Sequence, residues 1–269
     1  MNSPETIRLA IFIAVLLLCA IWEFTSPRKA LTQNKFQRWL SNLGLVGFNS
    51  ICISLLMPLV AFQAAINAQT SEIGLFNMSL FNSETLPTFA IVILSVVILD
   101  FAIYIQHVVF HRVPLLWRLH QVHHADQDID VTTGARFHPI EIILSMWIKI
   151  GIVVALGIPP EAVLLFEIIL NASAMFNHSN AFLNLKVDSW LRKVIVTPDM
   201  HRVHHSIKVK ETHSNFGFFL SVWDRWGNTY REQPEDGHDK VTIGVPLFRT
   251  SREQWLDKML TQPFRIKKR

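Results

Sequence analysis

Charge is scarce in this chain: 17% of its 269 residues are Asp, Glu, Lys or Arg, where an ordinary soluble domain carries about a quarter, and half are hydrophobic. That scarcity excludes a water-soluble globular protein and points to a membrane protein. Cysteine is limited to Cys19 and Cys52, both inside apolar runs, which excludes a disulfide framework and a thiolate metal site; both read as small buried hydrophobes. No HExxH is present for a zinc hydrolase, and neither a CxxC nor a GxGxxG following a strand supplies a built-in electron carrier. Between Gln69 and Pro87 there is no Lys or Arg. Histidine is absent from the first hundred residues, although the chain holds twelve from His107 onward, so any imidazole chemistry belongs to the later two-thirds.

Long apolar runs are what the chain has instead. Ile7 to Trp22, Leu43 to Ala65 and Thr88 to Val109 each approach the roughly 20 residues of a membrane-crossing helix. Two further runs, Ile140 to Leu156 and Ala162 to Met175, are separated by Gly157-Ile-Pro-Pro160, which predicts a helical hairpin. The first run has one basic residue at its start, Arg8, and is followed by the bases Arg28, Lys29, Lys35 and Arg38, which outnumber it and set the topology, in place of a small-residue cleavage site. It is expected to be a retained transmembrane helix, with Arg8 snorkelling to the headgroups.

The loop with Glu72 and Glu84 and no base marks the translocated side. The first three helices then run in, out and in, and His107 and His111 reach the cytoplasmic end of the third. The expected architecture is an all-α integral membrane protein, with four to five transmembrane or hairpin helices and a cytoplasmic histidine-rich helical cap. The segment Ala181 to Val196 has the pattern of an amphipathic helix in the headgroup plane. The pI near 9.2, to which the run Arg265-Ile-Lys-Lys-Arg269 contributes, reads as topology and contact with anionic headgroups, and not as nucleic-acid binding.

Three histidine patterns dominate the rest: His107-x3-His111, His120-x2-His123-His124 and His201-x2-His204-His205. One such three-histidine pattern would arise by accident roughly 0.02 times in a chain of this length, so two copies are not chance. On a helix, residues at i, i+3 and i+4 share a face, and each HxxHH is expected to aim three nitrogens at one point. Two such points suggest a metal pair. Ligands rich in nitrogen and poor in oxygen and sulfur exclude calcium and magnesium and leave iron, zinc or copper. Eight histidines exceed the four of a closed structural zinc and suit two adjacent metals with open positions.

At the cytoplasmic end of a bundle such a pair faces acyl chains and sterol rings, whose C–H bonds give acid–base chemistry no handle; O2 activation at iron suits them. A membrane metal-binding or electron-transfer protein without C–H oxidation would use the same histidines differently. Bis-histidine haem needs isolated histidines near mid-membrane, and a transporter needs polar residues across the bilayer, which the first two helices almost lack.

Several neighbours could orient these imidazoles. Asp100, two turns before His107 on the same face, would bond a histidine or make an interhelical hydrogen bond. Glu141 could orient an imidazole, and Asp199 could do so or cap a helix beginning at Thr197-Pro198. His213 lies near the last cluster as a supporting residue at most, while His238 reads as a solvated loop histidine.

Taken in order, Asp100-x6-His107-x3-His111, Trp117-x2-His120-x2-His123-His124, Phe137-His138-Pro139-x-Glu141, Asn177-His178-Ser179, Thr197-Pro198-Asp199-x-His201-x2-His204-His205, Asn215-Phe-Gly217 and Trp223-Asp224-Arg225 resemble the fatty acid hydroxylase superfamily, also called the sterol desaturase family, over about residues 90 to 235. The resemblance implies a membrane non-haem di-iron oxygenase that uses O2 and two electrons to hydroxylate or desaturate a lipid such as a sterol or fatty acid. It carries over His107, His111, His120, His123, His124, His201, His204 and His205 as ligands and His178 as a ninth. It leaves His138 as a tenth ligand or a supporting residue. Val108, Gln106, His213 and Ala174 depart from the family's usual residues without touching the ligand core.

The implied cofactors are two iron ions, with zinc able to replace them in purified protein. The implied partners are a bilayer lipid and an external donor, whether cytochrome b5-like, a ferredoxin or a reductase. The implied location is a bacterial inner membrane or the endoplasmic reticulum. The expected organisation is 1–86 for the N-terminal helices and loop, 87–235 for the di-iron domain and 236–269 for a basic tail.

Overall fold

The structure, a computed structural model, describes residues 3–78 and 86–265; Glu84 and residues 266–269 of the basic C-terminal run lie outside the described residues. Helix α1 (Pro4–Thr25) starts where the Ser3 side chain accepts from the Thr6 amide and Pro4 occupies the first turn. α2 (Lys35–Leu56) is capped by Asn34, which accepts from the Gln37 amide. The expected single helix over Leu43 to Ala65 is in fact two. The chain leaves helical geometry at Met57 and resumes as α3 (Ala61–Thr70). Pro58 explains the break: it lacks an N–H, and its ring forces the preceding residue into extended conformation, as seen at Met57 with φ −101° and ψ 124°.

α4 (Thr88–Arg112) leads through Val113 into α5 (Pro114–His124). The predicted hairpin is present as α6 (Pro139–Leu156) and α7 (Pro160–His178). Gly157 closes α6 in the left-handed region at φ 64°, where a side chain would be strained and a Cβ would meet the Ile73 carbonyl oxygen at 2.8 Å. Short helices complete the chain: α8 (Leu185–Leu191), α9 (Pro198–His204), α10 (Val209–Thr212), α11 (Val222–Trp226), α12 (Gly237–Lys240) and α13 (Leu256–Thr261). There is no strand among the described residues.

Among the described residues, four segments are long and apolar enough to cross a membrane: α1, the stretch Lys35–Asn77 through α2 and α3, α4, and α6. Their outward faces carry residues such as Leu18, Phe24, Leu55 and Phe89, which water would penalise and lipid accepts. Inside, Ala61, Ala64 and Ala65 of α3 let the backbone approach Val153, Ile158 and Phe166.

Polar burial is concentrated at the other end. Arg38, expected among bases that set topology, is fully buried; its guanidinium donates to both oxygens of Asp126 (2.8 and 2.9 Å) and to Asp130 (2.6 Å) just after the first HxxHH. Arg8 also departs from expectation: it bonds the buried Glu167 of α7 instead of snorkelling. Of Ala181 to Val196 only Leu185–Leu191 is helical, with Leu185, Val187 and Trp190 exposed. The segment expected as a tail folds back, Met259 of α13 being buried against Leu45 and Val122.

Candidate metal centre

Nine buried histidines collect into two groups: His107, His111, His120, His124 and His204 in one, and His123, His178, His201 and His205 in the other, with the nitrogens of each group within 4.8 Å of one another. Neither HxxHH points at a single place, so the expectation of one point per cluster is corrected. At about 100° per residue, positions i and i+4 diverge by about 40°, whereas i+3 lies about 60° to the other side. His120 and His124 therefore join His204, and His201 and His205 join His123. Each cluster lends a pair to one group and a single residue to the other.

Backbone and carboxylate acceptors fix where the protons sit. A carbonyl oxygen can only accept, so Nδ1–H of His107 donates to Phe216 O (2.7 Å), that of His204 to Ser214 O (2.6 Å) and that of His178 to Ala174 O (2.7 Å). His120 Nδ1 lies 2.6 Å from Glu141 Oε1 in the same role. Each Nε2 of these four is then a bare lone pair. Yet His107 Nε2 and His120 Nε2 stand 3.0 Å apart, and His178 Nε2 is 3.1 Å from Nε2 of His123, His201 and His205. Facing lone pairs at that separation repel, and one nitrogen cannot satisfy three others by hydrogen bonds. A shared cation resolves both conflicts, so the residues present fit a metal in each group. Both ring nitrogens of His111 and His124 are likewise buried without a hydrogen-bond partner.

Burial keeps the imidazoles neutral, as metal ligation requires. It lowers His120 to about 3 and holds His123, His124, His201, His204 and His205 well below the usual imidazole value, with neighbouring histidines adding to the effect in the latter five.

The supporting residues divide clearly. Glu141 meets the imidazole of His120, not that of its neighbour in sequence His138. Asp100 bonds no histidine; it accepts from Trp223 Nε1 (2.7 Å) and the Leu220 amide (3.1 Å), the interhelical alternative. Asp224 accepts from the Phe216 and Gly217 amides (2.7 and 2.8 Å) and so holds the strap Ser214–Gly217 whose carbonyls receive His204 and His107, while Trp223 packs in one apolar cluster with Phe216. His138 stands outside both groups, its Nδ1 accepting from the Ile140 amide as the cap of α6 and its Nε2 meeting Leu260 O. Thr197, not Asp199, caps α9; Asp199 pairs with Arg28 and Arg202. His213 is exposed, its ring 5.4 Å from that of His111. His238 is buried beside Asp199 at 3.7 Å, not solvated, because α12 folds back on α9.

Sequence reasoning missed Gly134. A Cβ there would lie 2.5 Å from the Ala174 carbonyl oxygen that orients His178, so only glycine admits this approach. The general signal for such a residue is a glycine beside a ligand-bearing segment.

A cavity of about 280 Å³ opens on the first group alone. His107, His120 and Glu141 form one part of its wall, Phe110, Phe137 and Phe218 screen them, and Ile53, Ile103, Met146 and Leu170 make the remainder mostly apolar. Among the polar residues in its lining are Gln106, which donates to Ser145 Oγ at 2.7 Å, together with Lys149 and Asn171.

Fold and site thus define an α-helical membrane protein with two adjacent, buried, all-imidazole metal-binding groups beside an apolar cavity. The fatty acid hydroxylase family profile matches residues 92–229, half of the chain, and the protein belongs to that family. It is 28% identical to the ornithine lipid hydroxylase OlsE of Rhizobium tropici over 178 residues, 66% of this chain and 51% of that protein. It is 30% identical to the alkylglycerol monooxygenase of Homo sapiens and 32% identical to that of Xenopus tropicalis, each over 149 residues, 54% of this chain and 31% of theirs. The chain thus spans from about a third to half the length of these relatives. No solved structure matches.

Proposed function

We propose that the protein is a multi-pass membrane di-iron oxygenase that uses O2 and two electrons to hydroxylate or desaturate a C–H bond of a lipid. The observation that carries this reading is the pairing of inward-facing imidazole lone pairs with an apolar cavity that reaches only one of the two groups. The nine histidines would hold two irons, which when bound supply O2-dependent oxidising power against an unactivated C–H bond. The chain's own part is to fix imidazole orientation through Phe216, Ser214, Ala174 and Glu141, to keep the ligands neutral by burial, and to admit an acyl chain while excluding water. Zinc would bind the same nitrogens without redox activity.

Relatives named for ornithine lipid and alkylglycerol support a lipid with a polar head as substrate. Electrons would come from a cytochrome b5-like, ferredoxin or reductase partner. The charge bias of the loops supports placing the histidine cap on the cytoplasmic side of a bacterial inner membrane or the endoplasmic reticulum. Residues 87–235 form the catalytic unit in this reading.

The test is to purify the protein after growth with iron, count metals per chain, and follow O2 consumption and lipid mass spectra with reductant and a membrane lipid extract. Two irons per chain and products heavier by one oxygen, or lighter by two hydrogens, are expected. One firmly held zinc and no lipid oxidation with any donor would overturn the proposal.

A further inference from the structure

Three charged side chains meet in the midst of apolar helices: Lys149 Nζ donates to Glu167 Oε1 at 2.9 Å, and Arg8 bonds Glu167 Oε2. Charges packed among apolar helices are costly and seldom present without a task. The trio does not balance, since two cations share one carboxylate. Glu5, the remaining acid near Arg8, is 3.8 Å from it and two-thirds exposed, so water screens it. Lys149 is the member that lines the cavity, whose wall also includes Asn171. Its ammonium has three donors, of which Glu167 takes one.

Position along α6 relates this charge to the metal groups. Glu141, Ser145 and Lys149 line the cavity at i, i+4 and i+8, one stripe of the helix. At 1.5 Å per residue, Lys149 lies about 12 Å along the axis from Glu141, the residue that orients His120. The cavity therefore has a metal-proximal end of imidazoles and aromatics, the hydrogen-bonded Gln106–Ser145 pair midway among apolar side chains, and a cationic station about 12 Å from Glu141.

Building on the oxygenase reading, the geometry points to Lys149 as a specificity-determining residue that receives an anionic oxygen of the lipid, a carboxylate or a phosphate, and thereby sets which carbon lies against His107 and His120. An anion there completes the charge balance that Glu167 leaves half made. Distance from the anionic group, not from a chain end, then determines the site of oxidation.

The test uses the full iron-loaded chain in detergent micelles and three probes of equal chain length: hexadecanoate, hexadecyl phosphate and neutral methyl hexadecanoate, with retention compared by native mass spectrometry. Wild type should hold at least one anion roughly tenfold to a hundredfold more tightly than the ester, as a charge-assisted hydrogen bond implies. Preference for one anion alone identifies the headgroup chemistry. Lys149→Met should erase the preference while leaving ester binding in place, and Lys149→Arg should keep it. Absence of preference in wild type, or its survival in Lys149→Met, overturns the assignment. Should Lys149→Met fail to fold, the wild-type series and Lys149→Arg still decide. Oxidation of a lipid extract is scored separately: oxidation without anion preference removes the role of Lys149 alone, whereas anion preference without oxidation removes the oxygenase reading.

Discussion

The two imidazole groups are built from the same motif and differ in what surrounds them. The group of five takes a pair from α4, a pair from α5 and a single residue from α9; the group of four takes a pair from the second HxxHH and single residues from α5 and α7. Only the first reaches the cavity, through His107 and His120. Three of its imidazoles are fixed by acceptors, at Phe216, Glu141 and Ser214, while a single acceptor, Ala174 O, fixes the second group. An open group with a ligand to spare sits beside an enclosed group with none. The pair is asymmetric by construction, and the cavity meets only one side of it.

That asymmetry can be broken from either side. His178→Ala leaves three imidazoles in the enclosed group, and metal content should fall to one per chain with activity down at least a hundredfold, beyond the range for disturbing an outer partner. His111→Ala leaves four in the open group, so two metals should remain by elemental analysis; loss of both would show that the groups are not separable. Glu141→Gln keeps the shape but weakens the acceptor for His120 and should lower activity about ten- to hundredfold, with the enclosed metal unaffected in its spectrum.

Gly134→Ala pushes on the Ala174 carbonyl and should cost about 1–3 kcal/mol of stability in detergent, with loosening of the enclosed metal only. His238, outside both groups, supplies a control. Burial lowers it to about 4, below its unfolded value near 6.5, so the unfolded chain binds the extra proton first. Its contribution is present above pH 6.5 and is lost as pH falls toward 4; His238→Asn should flatten that part of the pH–stability curve with metal content unchanged at pH 7.

Much of this was readable in the chain because it is local. Apolar run lengths placed α1, α4 and the α6–α7 hairpin, and histidine spacing found every member of both groups except His178, which the family resemblance supplied. What spacing could not show was how two HxxHH motifs interlock, since that depends on the facing of α5 and α9, whose motifs lie 81 residues apart in the chain. Arg38 reads in sequence as a topological charge, and only the fold brings Asp126 and Asp130 around it. Pro58 was a visible breaker that the apolar run around it masked. Lys149 and Glu167 carried their own signal, a charge inside each arm of an apolar hairpin, but their pairing required the two helices to be packed.

The interlocked motifs also impose an order on assembly. By the time His124 has been synthesised, the chain already carries four of the five nitrogens of the open group but only His123 of the enclosed one. The enclosed group gains His178 next and cannot be completed until His201 and His205 arrive, and the same helix delivers His204 to the open group. One late segment thus closes both groups at once, so metal capture by the enclosed group would report that α9 has docked against α5 and α7.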